Sequence, residues 1–348
     1  MAHLTDFFIE NVSKDFFKKI IGQKQAKDQI KSALIVGRNI ILEGPPGIGK
    51  TTLVKSIANA LPQKEVNDCP FHCNPENPSC PYCLEKIKNK EKIPTKKLKG
   101  EDLITRVQGS PDLTIEDLFG DIDPQIAMKK GAYSIEAFRP GKIFKANGGI
   151  LFFDEVNRTS EKLQNALLQA LEEKIITLST YTIDFNIDFI LIATMNPEDY
   201  STERLSDVFL DRFDVIKMTY PETVEIEKEI LKDVEKNNAL SSKNIIFPDN
   251  LVELFLDFIF YLRKDENLEK KPSVRSSIGI YERSLAFAYM DNCFEVEMKH
   301  LKLAMQSVLN HRLRLKPSVE FKTNVKDYID NEFNKHLNKN KLKNSDSP

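Results

Sequence analysis

The sequence predicts an α/β domain built on a buried, mainly parallel sheet, followed by a helical domain. Three observations predict it. A short apolar strand at 39–43 is joined by runs at 149–153 and 189–194 that have the composition of strands covered on both faces. Segments between them carry apolar residues at helical spacing. After Pro221 the strand runs stop, and long charged segments with helical patterning follow. The boundary is therefore placed near residue 220, giving expected domains at 1–220 and 221–335 and a polar, disordered tail at 336–348. A chain of 348 residues accommodates one large and one smaller domain at about 150 residues each.

Along the chain, residues 16–37 read as a turn at Gly22 and then a helix. The strand at 39–43 (NIILE) precedes a helix at 51–61 with Leu53, Ile57 and Leu61 on one face. Residues 62–102 form an insertion rich in Pro, Cys and Lys, with no regular structure expected. Gly120, Gly131, Pro140 and Gly141 punctuate 103–148, which predicts a hairpin insertion at about 118–145 between helical pieces. Thr159 or Ser160 caps the next helix, whose Leu163, Leu167 and Leu171 repeat at helical spacing.

Fifty Lys and Arg against 52 Asp and Glu give a formal net charge of −2, which excludes a broadly basic nucleic-acid binder but not a local basic patch. The opening MAHLTDFFIE lacks the basic-then-apolar pattern of a secretory signal. The most apolar stretches, FNIDFILIATM and LVELFLDFIFYL, are short and contain acids, so no membrane span is expected. The chain reads as cytoplasmic.

Gly44-Pro45-Pro46-Gly47-Ile48-Gly49-Lys50-Thr51 matches the phosphate-loop pattern, between a strand and a helix as that pattern requires. Glycines let backbone wrap a phosphate, and the amides with the helix N-terminus supply positive potential. Lys50 is expected to reach the β- and γ-phosphates of ATP, and the Thr51 hydroxyl to ligate Mg²⁺; Thr52 is counted with the loop. The run at 150–153 ends in Asp154 and Glu155, at the sheet edge where ligands of open α/β sheets bind. Asp154 would hold Mg²⁺, directly or through water, and Glu155 would orient and deprotonate the attacking water.

Three further residues stay open on the bare sequence. Asn196, after the third strand run, either bonds the attacking water or the γ-phosphate, or simply forms an Asn-Pro turn. Arg212 is either an arginine finger for a neighbouring subunit or a surface salt bridge to Asp211 or Asp214. Arg275 opens a helix whose Val274, Ile278, Tyr281, Leu285 and Ala288 form the apolar face; it either contacts nucleotide or is solvated.

Together these motifs resemble the AAA+ ATPases, and more narrowly the branch of the magnesium chelatase ATPase subunit and the MoxR-type chaperones. The resemblance covers roughly 15–315 and includes IIGQKQAK at 20–27, LFGDIDPQIAMKKG at 118–131 and FRPGKIFKANGGILFFDEVN at 138–157. It implies a three-layer αβα phosphate-loop NTPase domain, an all-helical lid, and a homo-oligomeric ring, usually of six subunits. It implies the sensor-1 role for Asn196, a trans-acting finger for Arg212 and the sensor-2 role for Arg275. Ile20, Ile21 and Gly22 fall where the family cradles adenine, although the isoleucines fit a plain core equally well. The chain is expected to end after the lid, leaving the working end on a partner protein with an adhesion-type (von Willebrand A) domain.

A cysteine cluster departs from that family. Cys69-x3-Cys73-x6-Cys80-x2-Cys83 offers two close pairs, suited to a structural, closed tetrahedral Zn²⁺ site. Metal binding would supply folding energy that this apolar-poor insertion lacks. His72 is an alternative fourth ligand, and free thiols or an iron–sulfur cluster are the competing readings. Between 86 and 99, seven Lys face one Glu, a local charge of +6. Without interleaved aromatics this stretch reads as a solvated surface rather than a nucleic-acid site. The expected activity is Mg²⁺-dependent ATP hydrolysis that remodels or activates a partner protein. The alternatives are the motor of a true magnesium chelatase and a nucleic-acid motor or helicase loader.

Overall fold

The structure, a computed structural model, describes residues 4–18, 20–131, 137–178, 183–197, 205–237, 240, 243 and 245–345. The chain divides into two compact units. The first comprises Met1–Pro45 and Gly49–Met218; the second comprises Thr219–Pro348 together with the loop tip Pro46–Ile48.

The first unit is built on five parallel strands, β1 (Asn39–Glu43), β2 (Ile104–Gln108), β3 (Ile150–Asp154), β4 (Ile190–Met195) and β5 (Phe213–Lys217), in the order β5-β1-β4-β3-β2. Helices packed around the sheet complete the three-layer αβα arrangement. Ile40, Ile41 and Leu42 are fully buried, as are Leu191, Ile192 and Ala193, which is why these strands read as continuous apolar runs. Register aligns the carboxyl ends: Glu43 lies opposite Met195, and Gln108 opposite Asp154. The two outer strands, β2 and β5, escape the sequence reading. Each is covered only in part, so ITRVQ and FDVIK mix polar and apolar residues instead of forming a run.

Among the described residues of the first unit, two antiparallel hairpins stand outside this sheet, besides a strand pair in the 62–102 insertion. One pairs Gly120–Ile122 with Phe138–Pro140, inside the expected insertion at 118–145, of which 132–136 lie outside the described residues. The other pairs Ile175–Leu178 with Ile183–Asn186. The insertion at 62–102 is more regular than its composition suggests. Strand Lys64–Asn67 pairs with Thr95–Leu98, and helix Pro81–Lys88 lies between them. Val66, Phe71 and the cysteines are buried, and Phe71 and the cysteines join the core of the first unit, which the segment's overall polarity conceals.

Among the described residues, the second unit contains five long helices, Val224–Asn237, Asp249–Lys264, Val274–Met290, Met298–Leu309 and Val325–Ser345. It is not all-helical, because Leu268–Lys270 and Arg314–Leu315 pair as a short antiparallel ribbon. Residues 336–345 belong to its last helix and do not form the disordered tail that their polarity predicts; Lys, Leu and Asn continue a helix where no Gly or Pro interrupts it. Residues 346–348 lie outside the described residues.

Charge is buried in this second core. Arg263 donates to both carboxylate oxygens of the fully buried Glu227, at 2.6 and 2.8 Å, and its Nε donates to the Pro272 carbonyl at 3.0 Å. Its guanidinium lies over the Tyr220 and Phe260 rings. Arg263→Ala leaves Glu227 as an uncompensated buried charge, so urea denaturation should register a loss of about 3–5 kcal/mol. A loss below about 1 kcal/mol would show that the pair is dispensable.

Candidate nucleotide-binding site

The loop Gly44–Gly49 joins β1 to helix Lys50–Ala60. Gly47 and Gly49 hold φ of 79° and 97°, a region that side chains disfavour, so the loop can expose its amides as a concave surface. Gly49 is the helix N-cap, and the helix lacks a side-chain cap. Its first amides are therefore open to an anion. The Lys50 ammonium rests on backbone carbonyls, donating to Gly44 and, at 3.1 Å, to Pro45. The Gly44 amide in turn donates to the Met195 carbonyl at 3.1 Å, tying the loop to the end of β4.

The acidic pair sits at the end of β3, with Asp154 only 16% exposed. Thr194 on β4 organises both residues. Its hydroxyl donates to Asp154 Oδ1 at 2.7 Å and accepts from the Glu155 amide at 2.9 Å. Glu155 adopts left-handed backbone angles (φ 59°, ψ 53°), strained for a non-glycine residue and here held by its neighbours. A Cβ on Gly109 would come 2.0 Å from the Glu155 carbonyl oxygen, so only glycine fits beside the acidic turn. The Glu155 carboxylate accepts from Gln108 Nε2 at 3.1 Å and pairs with Arg158 at 3.2 Å. Asn196 follows β4, and its carbonyl accepts from Asn157 Nδ2 at 3.3 Å.

Lys50, Thr51, Asp154, Glu155 and Asn196 are thus brought to one carboxyl edge of the sheet, around the ends of β1, β4 and β3. Ile20, Ile21 and Gly22 precede helix Lys24–Ile35, which packs on β1 and β5; Ile20 is buried and its carbonyl accepts from Lys27.

A family model described as "Magnesium chelatase, subunit ChlI" matches residues 16–70, and one described as "ATPase family associated with various cellular activities (AAA)" matches 94–215. The "Magnesium-chelatase subunit ChlI homolog" of Methanocaldococcus jannaschii is 30% identical over 351 residues, covering 93% of this chain and 92% of the relative. The chain belongs to the AAA+ ATPases of the ChlI-related branch. It is accordingly an ATP hydrolase. The "Uncharacterized protein YeaC" of Bacillus subtilis is 25% identical over 87% of this chain and 85% of its own length. Among solved structures, NtrX from Brucella abortus in complex with ADP is alike in fold, with a TM-score of 0.53 at 15% identity, covering 95% of this chain and 64% of that one.

The two arginines of this ChlI-related ATPase differ in setting. Arg212 lies between helix Asp207–Leu210 and β5, and its guanidinium pairs with Glu172 and, at 3.1 Å, with Asp211. Asp214, the other acid beside it in sequence, pairs instead with Arg38. Arg275 is exposed in the first turn of helix Val274–Met290, after the N-cap Ser273. Within the second unit a Cβ on Gly47 would meet Arg275 Cγ and Ser273 Oγ at 3.0 Å. Burial, reinforced by the charges of Arg283 and Arg275, lowers the Arg312 pKa.

Arg106, Gln108, Gly109 and Thr194 are the residues around the acidic pair that sequence reasoning misses. Arg106 on β2 pairs with Asp154 Oδ2 at 2.6 Å. The one available signal is the alternation in ITRVQ, which puts Arg106 and Gln108 on the same face of a strand.

The four cysteines of the insertion converge, with sulfurs all within 4.8 Å of one another and each residue no more than 4% exposed. Two sulfurs accept backbone N–H bonds: Cys69 from Cys73 at 3.4 Å and Cys80 from Cys83 at 3.3 Å. Asn67 Nδ2 approaches Cys83 at 3.6 Å. Cys80 also N-caps helix Pro81–Lys88, and this fixes the Cys80–Cys83 pair on its first turn. Hydrogen bonds first from Cys73 and then from Cys80 stabilise the Cys69 thiolate and lower its pKa. His72 is not part of the cluster, because its backbone turns into the left-handed region and Nδ1 meets the Lys145 carbonyl at 3.2 Å. In the Lys-rich stretch, Lys86 lies over the Tyr82 ring and Lys96 pairs with Asp68 at 3.1 Å. No helix among the described residues is long and apolar enough to cross a membrane.

Proposed function

We propose that this chain is the motor subunit of a homo-oligomeric ring, a hexamer on family precedent, that spends ATP to remodel or activate a partner protein. The observation that carries the reading is the convergence of Lys50, Thr51, Asp154, Glu155 and Asn196 at one sheet edge. The loop amides from Gly44 to Gly49, with Lys50, Thr51 and Thr52, receive the phosphates, and Ile20, Ile21 and Gly22 cradle adenine. Thr51 and Asp154 offer hard oxygen donors that suit Mg²⁺. When bound, Mg²⁺ neutralises charge that builds on the phosphates. Glu155 accepts the proton of the attacking water, and must first exchange its contacts with Gln108 and Arg158. Asn196 positions that water, and Arg275 senses the γ-phosphate. Arg212 exchanges Glu172 for the γ-phosphate of a neighbouring subunit's ATP.

Light scattering checks the ring. The Glu155→Gln chain should assemble with MgATP into a particle several times the chain's 39.9 kDa and revert with ADP. A particle that stays monomeric with MgATP at every protein concentration would sink the ring motor. A partner with an adhesion-type domain fits the family, and the motor of a true magnesium chelatase is the alternative reading. The surface charges of the Lys-rich stretch leave the nucleic-acid motor as the weaker reading; it predicts DNA-stimulated hydrolysis that falls steeply with salt.

A structural Zn²⁺ completes the proposal. A tetrahedron of roughly 2.3 Å Zn–S bonds sets sulfurs roughly 3.8 Å apart, compatible with the cysteine cluster. The closed four-sulfur set leaves no open position, so the ion is assigned no part in hydrolysis. Elemental analysis of protein purified with ZnCl₂ present should find about one zinc per chain and no iron. A folded, metal-free sample removes the site.

A further inference from the structure

We infer that the cysteine cluster serves as a metal-locked clamp that positions both hairpins of the first unit, through Phe71. The inference rests on the proposed Zn²⁺ site and extends it to what the metal controls. Phe71 sits inside the five-residue knuckle from Cys69 to Cys73, whose ends are tied by the Cys73 amide to the Cys69 sulfur at 3.4 Å, and the Asn67 amide donates to the Cys73 carbonyl at 2.8 Å. Its ring is buried, and stacks on Phe185 with centroids 5.2 Å apart and planes 11° from parallel. It also stacks on Phe138 at 6.1 Å and meets Phe144 edge-on at 5.1 Å.

Those three rings come from two stretches of chain, 138–145 and 183–186. Phe138 belongs to the hairpin of Gly120–Ile122 with Phe138–Pro140, opposite Ile122. Phe185 belongs to the hairpin of Ile175–Leu178 with Ile183–Asn186, opposite Ile176. Phe144 belongs to the short helix Lys142–Lys145, and His72 bonds that helix's Lys145 carbonyl. A two-stranded ribbon is marginal alone and takes its order from what it packs against. Here the shared surface is a four-ring cluster in which Phe144 also meets Phe138 at 6.0 Å and Phe185 at 5.5 Å, and Phe71 enters it from a loop of Cys, Pro, Phe, His and Cys too short to carry an apolar core of its own. With all four thiolates on one ion the knuckle has one geometry. With the thiols free it has many, and Phe71 ceases to be a fixed partner. The nucleotide-binding edge is formed by other residues, so metal loss should loosen the hairpins and spare ATP binding.

Hydrogen exchange on the full chain tests this, with zinc content measured on each sample. Removal of zinc by a zinc-selective chelator should speed amide exchange about 10-fold or more in peptides covering both hairpins. Readdition of ZnCl₂ should restore protection, while exchange in β1 and the affinity for MgATP stay unchanged. Phe71→Ala should retain zinc and loosen the same two hairpins; Phe71→Leu, which keeps an apolar side chain, should do so less and serves if the alanine variant does not fold. Zinc-loaded protein whose hairpins are indifferent both to chelation and to the Phe71 substitutions overturns the clamp and leaves the metal site standing. A folded chain that takes up no zinc overturns both.

Discussion

Glu155→Gln should bind MgATP as tightly as the parent chain and hydrolyse it about 10²–10⁴-fold more slowly, the range general bases contribute. The amide keeps the side chain's size and can still bond Gln108, but it cannot take a proton. Thr194 would still hold the backbone turn through the 155 amide, so the geometry should survive. Fluorescent-nucleotide titration and phosphate release together check this. If the variant turns over at the parent rate, the water-activating residue is another group and the reading of the acidic pair is wrong.

Arg212→Ala should also keep nucleotide affinity and lose turnover, by about 10³–10⁵ where a trans-acting arginine completes the site. Within its own chain Arg212 pairs with Glu172 and Asp211, partners that are exposed and worth little to stability. Its removal should therefore leave the denaturation midpoint nearly unchanged, and this separates a kinetic role from a structural one. Mixing sharpens the test. Subunits carrying Arg212→Ala have an intact Glu155, and subunits carrying Glu155→Gln have an intact finger. Mixed rings should therefore regain turnover that neither variant shows alone. Full activity of assembled Arg212→Ala rings, or no recovery on mixing, would place the finger elsewhere or within the same chain.

The central strands and the phosphate loop are legible because their requirements are local. Ile40, Ile41 and Leu42 must all be apolar when both faces are covered, and a loop that wraps phosphate needs glycine at the positions held by Gly47 and Gly49. The acids at 154 and 155 are legible for the same reason, since they end a buried strand. Arg106 and Gln108 are not, because an outer strand covered only in part carries no continuous apolar signal. Their meaning comes from register alone, which sets Gln108 opposite Asp154. His72 shows the opposite failure. Its spacing suits a ligand, but a left-handed turn sends its ring to the Lys145 carbonyl.

The sequence by itself determined the chemistry available to this protein: a phosphate cradle, two carboxylates at a strand end and four thiols in one short insertion. Only the tertiary structure decided which groups surround them. It placed Thr194 between the two acids, put Glu172 on Arg212, and brought rings from two distant segments, 138–144 and 183–186, onto Phe71. The physical reason is range. Backbone conformation and strand burial are dictated by residues a few positions apart, whereas hydrogen-bond partners and ring contacts depend on strand order and register, which no short stretch of chain encodes.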